Sequence, residues 1–240
     1  MKNKIKIIVL LFLTVQVCLA KPTLFKLDQV HYFYHGNSFS ENRIEYFHEI
    51  FKQTYEEVFA KFKERKVYPI RVEIFTNTKE FQEHTKLAPI YAGLYTPKEG
   101  FIFLLTPKTM NRDRLIQIIS HESCHALLDL TNEEIDRVLE EGFCSNEFPS
   151  EEFLYIWNRT LLNLELEKFL ETGNWILKNS SQAKKRDVYH AATLFIRSIR
   201  KTKNTEEVLK LLRANSLRNL NKYWHEFTYN QRLEQQNNKH

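Results

Sequence analysis

The sequence predicts an α+β fold, a small N-terminal mixed sheet with helices followed by a helical region, and three observations lead there. Short apolar or alternating runs cluster before residue 106, with Ile70-Arg71-Val72-Glu73-Ile74-Phe75 the clearest period-two stretch. From residue 111 onward the apolar residues recur instead at helical spacing. At the junction stands His121-Glu122-Ser123-Cys124-His125, an HExxH pattern inside an apolar-periodic run.

Taken in order, the chain opens with Lys2, Lys4 and Lys6, then an apolar run from Ile7 to Leu13 that continues with interruptions to Ala20. This is the pattern of a secretory signal peptide over residues 1–20, with an uncleaved anchor as the alternative. The run is too short and broken for a comfortable span, so no stable membrane span is expected after cleavage and the protein is expected to be secreted or periplasmic. Cleavage removes three lysines and no acids, which lowers the formal charge from +5 to +2. With no basic block or stripe, nucleic acid is excluded as an expected partner. Glycine and proline are scarce and no repeat or linker divides the chain, so residues 21–240 read as one domain, sheet plus helix to 110 and helical from 111.

Residues 25–33 alternate as a strand, and residues 44–66 carry Ile44, Phe47, Ile50, Phe51, Tyr55, Val58, Phe59 and Phe62 at helical spacing, so these aromatics belong to the core. Pro69 introduces the strand at 70–75, and residues 78–85 form a short helix with Phe81 inward. Residues 91–95 and 101–105 flank a turn containing Pro97, Lys98, Glu99 and Gly100, a hairpin signal. One of its strands is either a wall that holds an extended substrate by strand addition or a plain core strand.

Leu115, Ile118, Ile119, Ala126 and Leu127, with no glycine or proline between them, make the HExxH run an amphipathic helix. His121 and His125 then stand one turn apart on one face, roughly 5–6 Å between Cβ atoms, and both imidazoles can converge on one ion. Glu122 lies about 100° around the helix, where a carboxylate can serve a water at the open coordination position without ligating. Catalytic zinc takes three protein ligands, commonly two histidines and a carboxylate. A second helix, opened by the capping signal Thr131-Asn132-Glu133-Glu134, offers either Glu140 or Glu141 as the third. Asp129 and Asp136 are candidates to orient a ligating histidine, with ordinary solvated acids as the alternative. Cys124 and Cys144 each lie beside a proposed ligand, and read either as a bridge tying the two helices together or as two small buried thiols. Helices are expected over 151–171, 185–200, 205–213 and 217–229, with 174–184 an exposed loop near Tyr189 and 234–240 a frayed end.

His121-Glu122-x-x-His125, followed after a short interval by Leu139-Glu140-Glu141-Gly142-Phe143, resembles the gluzincin metallopeptidases, in particular the peptidase MA-like proteins and the aminopeptidase N branch of the thermolysin clan. The resemblance implies a zincin-like fold, Zn²⁺ held by His121, His125 and Glu141, and Glu122 as general base acting on a peptide or protein substrate. Tyr189-His190-Ala191-Ala192, with Leu194-Phe195-Ile196 and residues 208–212, is similar to a helix pair of that branch. That likeness implies Tyr189 as the oxyanion donor, with His190 as the alternative. The interval from His125 to Glu141 is shorter than in the aminopeptidases and no amine-recognising loop is visible, so aminopeptidase specificity is not implied. The expected function is that of a secreted zinc peptidase. Its rivals are a non-catalytic binding module that retains the fold and a zinc hydrolase of a non-peptide amide or ester. Intact Glu122 argues against the module, because a structural zinc has no need of a general base.

Overall fold

A computed structural model describes residues 22–35, 41–62, 70–86, 92–97, 99–106, 110–130, 135–148, 159–214 and 217–237. The expectations for the signal peptide, Pro69, Tyr91, residues 131–134 and residues 151–158 lie outside them. In chain order the elements are β1 (Thr23–Leu27), β2 (Val30–His35), α1 (Glu41–Lys61), β3 (Ile70–Phe75), α2 (Thr78–Thr85), β4 (Gly93–Thr96), β5 (Phe101–Leu105), α3 (Arg112–Leu130), α4 (Arg137–Glu147), α5 (Leu166–Asn179), α6 (Gln182–Arg200), α7 (Thr205–Arg213) and α8 (Leu217–Asn237). A 3₁₀ turn, Arg159–Asn163, precedes α5. No helix among the described residues is long and apolar enough to cross a membrane.

The strands form one mixed sheet in the order β1-β2-β3-β5-β4, in which β2, β3 and β5 are parallel and both edge strands antiparallel to their neighbours. The single strand expected over 25–33 is two strands, because the chain reverses at Asp28, whose φ of 51° is a left-handed conformation that aspartate tolerates. Register aligns Tyr32, Val72 and Ile102 across the sheet, and all three are fully buried. That face packs on α1, where Phe47 and Phe51 meet Tyr32 edge-on at 5.7 and 6.1 Å, and on α3 through Ile119, Leu127 and Leu128. Each such aromatic contributes roughly 2–3 kcal/mol of burial. The opposite face is covered in part by α2, whose Phe81 completes a smaller cluster with Phe75, Phe103 and Leu105.

Beyond α4 the described residues are mainly helical, and the loop expected over 174–184 is instead the end of α5 and the start of α6, joined at Ser180 and Ser181. Ile176 and Leu177 keep the helical phase through a polar stretch, with Leu177 buried in the core and Trp175 turned outward. The final helix likewise runs on to Asn237. Trp224 of α8 stacks on Phe169 at 4.5 Å and meets Phe195 at 5.0 Å, while its indole N–H donates to the Leu164 carbonyl at 2.9 Å. The carboxylate of Glu147, at the end of α4, is buried and accepts from Lys61 Nζ at 2.9 Å, Arg200 Nε at 3.1 Å and the Thr205 hydroxyl at 3.3 Å. These contacts bind the end of α4 to α1, α6 and α7.

Candidate metal centre

Three side chains converge where α3 faces α4. Nε2 of His121 and Nε2 of His125 lie 3.1 Å apart, and the Glu141 Oε2 is 3.6 Å from the first and 3.5 Å from the second. Their ligand atoms all fall within 4.8 Å of one another, and they are the sole such group of His, Cys, Asp and Glu among the described residues. Helical i, i+4 spacing accounts for the two imidazoles, whose rings stand at 78° with centroids 4.8 Å apart. The third donor depends on how α4 is seated.

Gly142, directly after Glu141, supplies that seat. A Cβ built on it would meet the backbone carbonyl carbon and the Cβ of Ala192 on α6 at 2.7 Å, so only glycine lets α4 lie this close to α6. A disulfide between Cys124 and Cys144 draws α3 and α4 together, with 5.7 Å between their Cα atoms. Each cysteine stands three residues past a ligand, His121 on α3 and Glu141 on α4, and so on nearly the same helical face. Of the two readings of the cysteines, the bridge is the one found.

The helix carrying Glu141 begins at Arg137, where Asp136 is its cap and accepts from the Val138 N–H at 2.9 Å. Asp136 also accepts from Asn174 Nδ2 at 2.8 Å, and burial pushes its pKa up. Asp129 accepts from the Tyr95 hydroxyl at 2.8 Å. Both acids thus have other tasks, and the residue that orients a histidine is Glu140, whose Oε1 lies 2.6 Å from Nδ1 of His125. With Nδ1–H donated to Glu140, Nε2 is the nitrogen turned toward the centre and left to ligate an ion. The signal was present in sequence: consecutive glutamates on a helix point about 100° apart, so one can ligate while the other braces a ligand.

The electrostatics follow from burial and proximity. Burial disfavours the charged form of His125, but the carboxylates of Glu141 and Glu140 outweigh it and hold its pKa well above the ordinary imidazole value. Burial would raise Glu141, yet His125 and His121 hold it well below the usual carboxylate range. Glu122 is buried, and burial raises its pKa against the partial opposition of His121 and His125. A smaller lowering comes from the Tyr95 backbone on β4. A Cβ on Gly93 would come within 2.5 Å of Glu122 Oε1 and 2.7 Å of Ile118, so the edge strand lies directly against this part of α3. Sequence reasoning did not single out Gly93, although a glycine in a strand is a sign of close approach.

Tyr189 and His190, the candidate oxyanion donors, are half-buried on α6 in the turn before Ala192. The contacts that define the three-ligand group do not run through either of them. The arrangement therefore unites His121, Glu122, His125 and Glu141, adds Glu140 as a brace, and offers one nitrogen–nitrogen–oxygen donor set to a metal ion. No protein-family model matches this chain, and no curated protein matches it.

Proposed function

We propose that the protein is a zinc-dependent peptidase with a zincin-like fold. The observation that carries this reading is the convergence of His121, His125 and Glu141 beside a buried Glu122 that stands outside the group. Two imidazoles and a carboxylate are the donor set of many catalytic zinc sites, and Glu140 bracing His125 supplies the orientation such ligands need. Bound zinc supplies Lewis acidity, which lowers the pKa of a water and polarises a carbonyl. Glu122 takes the water's proton and hands it to the leaving amine, a task favoured by the raised pKa that burial gives it. Tyr189 is the proposed donor to the developing oxyanion, a contact typically worth about 3–4 kcal/mol in the transition state.

The edge strand supports a peptide substrate over a small amide. Leu105 N–H donates to the Ala92 carbonyl, so the antiparallel alternation turns the backbone groups of Leu94 and Thr96 toward β5 and those of Gly93 and Tyr95 away from it. An extended peptide can add to the outward groups of Gly93 and to the Tyr95 carbonyl while its scissile bond lies near Glu122. Substrate turnover in a secretory or periplasmic setting fits the N-terminal pattern of residues 1–20.

Replacing Glu122 by Gln tests the reading. Zinc measured by elemental analysis should stay near one per chain, while cleavage of a broad peptide library, followed by mass spectrometry, should cease. Hydrolysis that persists at a substantial rate in the Gln variant would remove Glu122 from the mechanism.

A further inference from the structure

The ligand group is assembled across a joint between α3 and α4. On one side α3 packs with the sheet through Ile119, Leu127 and Leu128, and its Asp129 accepts from the Tyr95 hydroxyl of β4 at 2.8 Å. On the other side α4 is seated on later helices, with Gly142 against Ala192 of α6, Val138 against Gly173 of α5, and its cap Asp136 accepting from Asn174. Its later turns also reach Phe62 and Lys61 at the end of α1, through Phe143 and Glu147. His121 and His125 thus come from the sheet side and Glu141 from the helical side, so the donor set is complete only while the joint is closed. The Cys124–Cys144 bridge crosses the same joint, one residue before His125 and three past Glu141. Both cysteines are fully buried, so a reductant reaches their sulfurs only when α3 and α4 part.

An ion and a disulfide that close one joint are coupled. If loss of the bridge weakens zinc binding by some factor, bound zinc makes the bridge harder to reduce by the same factor. We propose that the Cys124–Cys144 bridge is a redox switch for the metal centre. Oxidised, it holds Glu141 against the two histidines; once it is reduced, the joint loosens and the ion is released more readily. The inference rests on the reading of His121, His125 and Glu141 as a zinc site, and adds how that site is regulated. Reduction by a dithiol takes two exchanges. A thiolate of the reductant attacks one cysteine sulfur and breaks the S–S bond, and its second thiolate then attacks the mixed disulfide. Two electrons pass to the cysteine pair, the reductant closes to a disulfide, and its two protons end on Cys124 and Cys144. For a chain with an export pattern at residues 1–20, this coupling keeps the centre weak in a reducing compartment and completes it in an oxidising one.

The test uses the full chain, zinc as the ligand and a water-soluble phosphine as the reductant. The phosphine takes oxygen from water to become its oxide, while the cysteine pair gains two electrons and two protons. Zinc affinity is measured by competition with a chromophoric chelator in wild type and in Cys124→Ala/Cys144→Ala, whose alanines cannot ligate an ion. It should be about tenfold weaker in the double variant, with the far-UV circular dichroism unchanged. From the other end, the rate at which thiols appear in wild type under phosphine, counted by alkylation and mass spectrometry, should fall about tenfold at saturating zinc. Zinc should not slow reduction of Glu141→Ala, in which the ion no longer joins the two helices. The rate measurement does not use the double variant, so it decides the matter even where that variant fails to fold. Equal zinc affinity with and without the bridge overturns the switch, and so does reduction at one rate with and without zinc bound. A wild type that binds no zinc while oxidised overturns the reading beneath the switch and the switch with it, and the affinity of the wild type alone tells that case apart.

Discussion

Two clusters among the described residues contain two histidines and one glutamate, and they lie on opposite faces of the sheet. His121, His125 and Glu141 form one; His35 on β2, Glu73 on β3 and His84 on α2 form the other. In the outer cluster both imidazoles address the same carboxylate oxygen, His35 Nε2 at 2.8 Å and His84 Nε2 at 3.4 Å from Glu73 Oε2. His35 is held flat on Phe75, with ring centroids 4.2 Å apart and planes at 8°. The inner three gather their ligand atoms within 4.8 Å of one another, and the outer three do not. Composition is the same; direction differs. One helix aims rings at i and i+4 toward a common point, whereas a strand and the end of a separate helix approach a carboxylate from two sides and leave it as the acceptor for both.

The sharpest way to break the comparison is to remove one member of each cluster. His125→Ala should weaken zinc binding on the order of a thousandfold, as expected for loss of one of three ligands, while Glu73→Ala leaves it unaltered; calorimetric titration with zinc reads both. Equal losses in the two variants would sink the distinction.

The inner cluster also has a covalent fastening that the outer one lacks. Replacing Cys124 and Cys144 together by Ala should lower stability by about 3 kcal/mol, the amount expected for a bridge spanning 20 residues, and urea unfolding measures it. An unchanged midpoint would mean that packing alone holds α3 to α4.

Bracing is the next difference in size. Glu140→Ala should reduce zinc affinity about 10- to 100-fold with the fold intact, because His125 loses the acceptor that orients it, and Glu140→Gln should lose less. If Glu140→Ala binds zinc as wild type does, the hydrogen bond is incidental.

Protons sharpen the contrast further. His125 has its pKa raised by Glu141 and Glu140 against burial, so it carries a proton in the metal-free protein that an incoming ion must displace. Affinity should therefore fall with acidification, about tenfold per pH unit for each proton released, and level off above the His125 pKa. Titrations in buffers of different ionisation enthalpy count the protons; a pH-independent affinity would show that none leaves.

The smallest effect belongs to the outer cluster. Glu73→Gln should cost about 1 kcal/mol in thermal unfolding through its weakened bonds to His35 and His84, with zinc content unaffected. A change in zinc content here would mean that the two clusters are not independent.

Much of this was legible from residue order alone, because it depends on contacts a few residues apart. The spacing of His121 and His125, the strand at Ile70–Phe75, the amphipathic α1 and the bounds Thr205–Arg213 of α7 are all set by periods of 3.6 or 2 acting locally. Errors arose where one local signal outweighed another, as with polar residues masking the continuous helical phase near Ile176, or Asp28 reversing what read as a single strand. Tertiary structure decided what lies between elements distant in sequence. It separated Glu140 from Glu141 by role, spent Asp129 on Tyr95 and Asp136 on a helix cap, closed the bridge from Cys124 to Cys144, and laid Gly93 against Glu122. The physical reason is that periodicity fixes which face of an element a side chain occupies, whereas what that face meets depends on how neighbouring elements pack, and no spacing within one element records that.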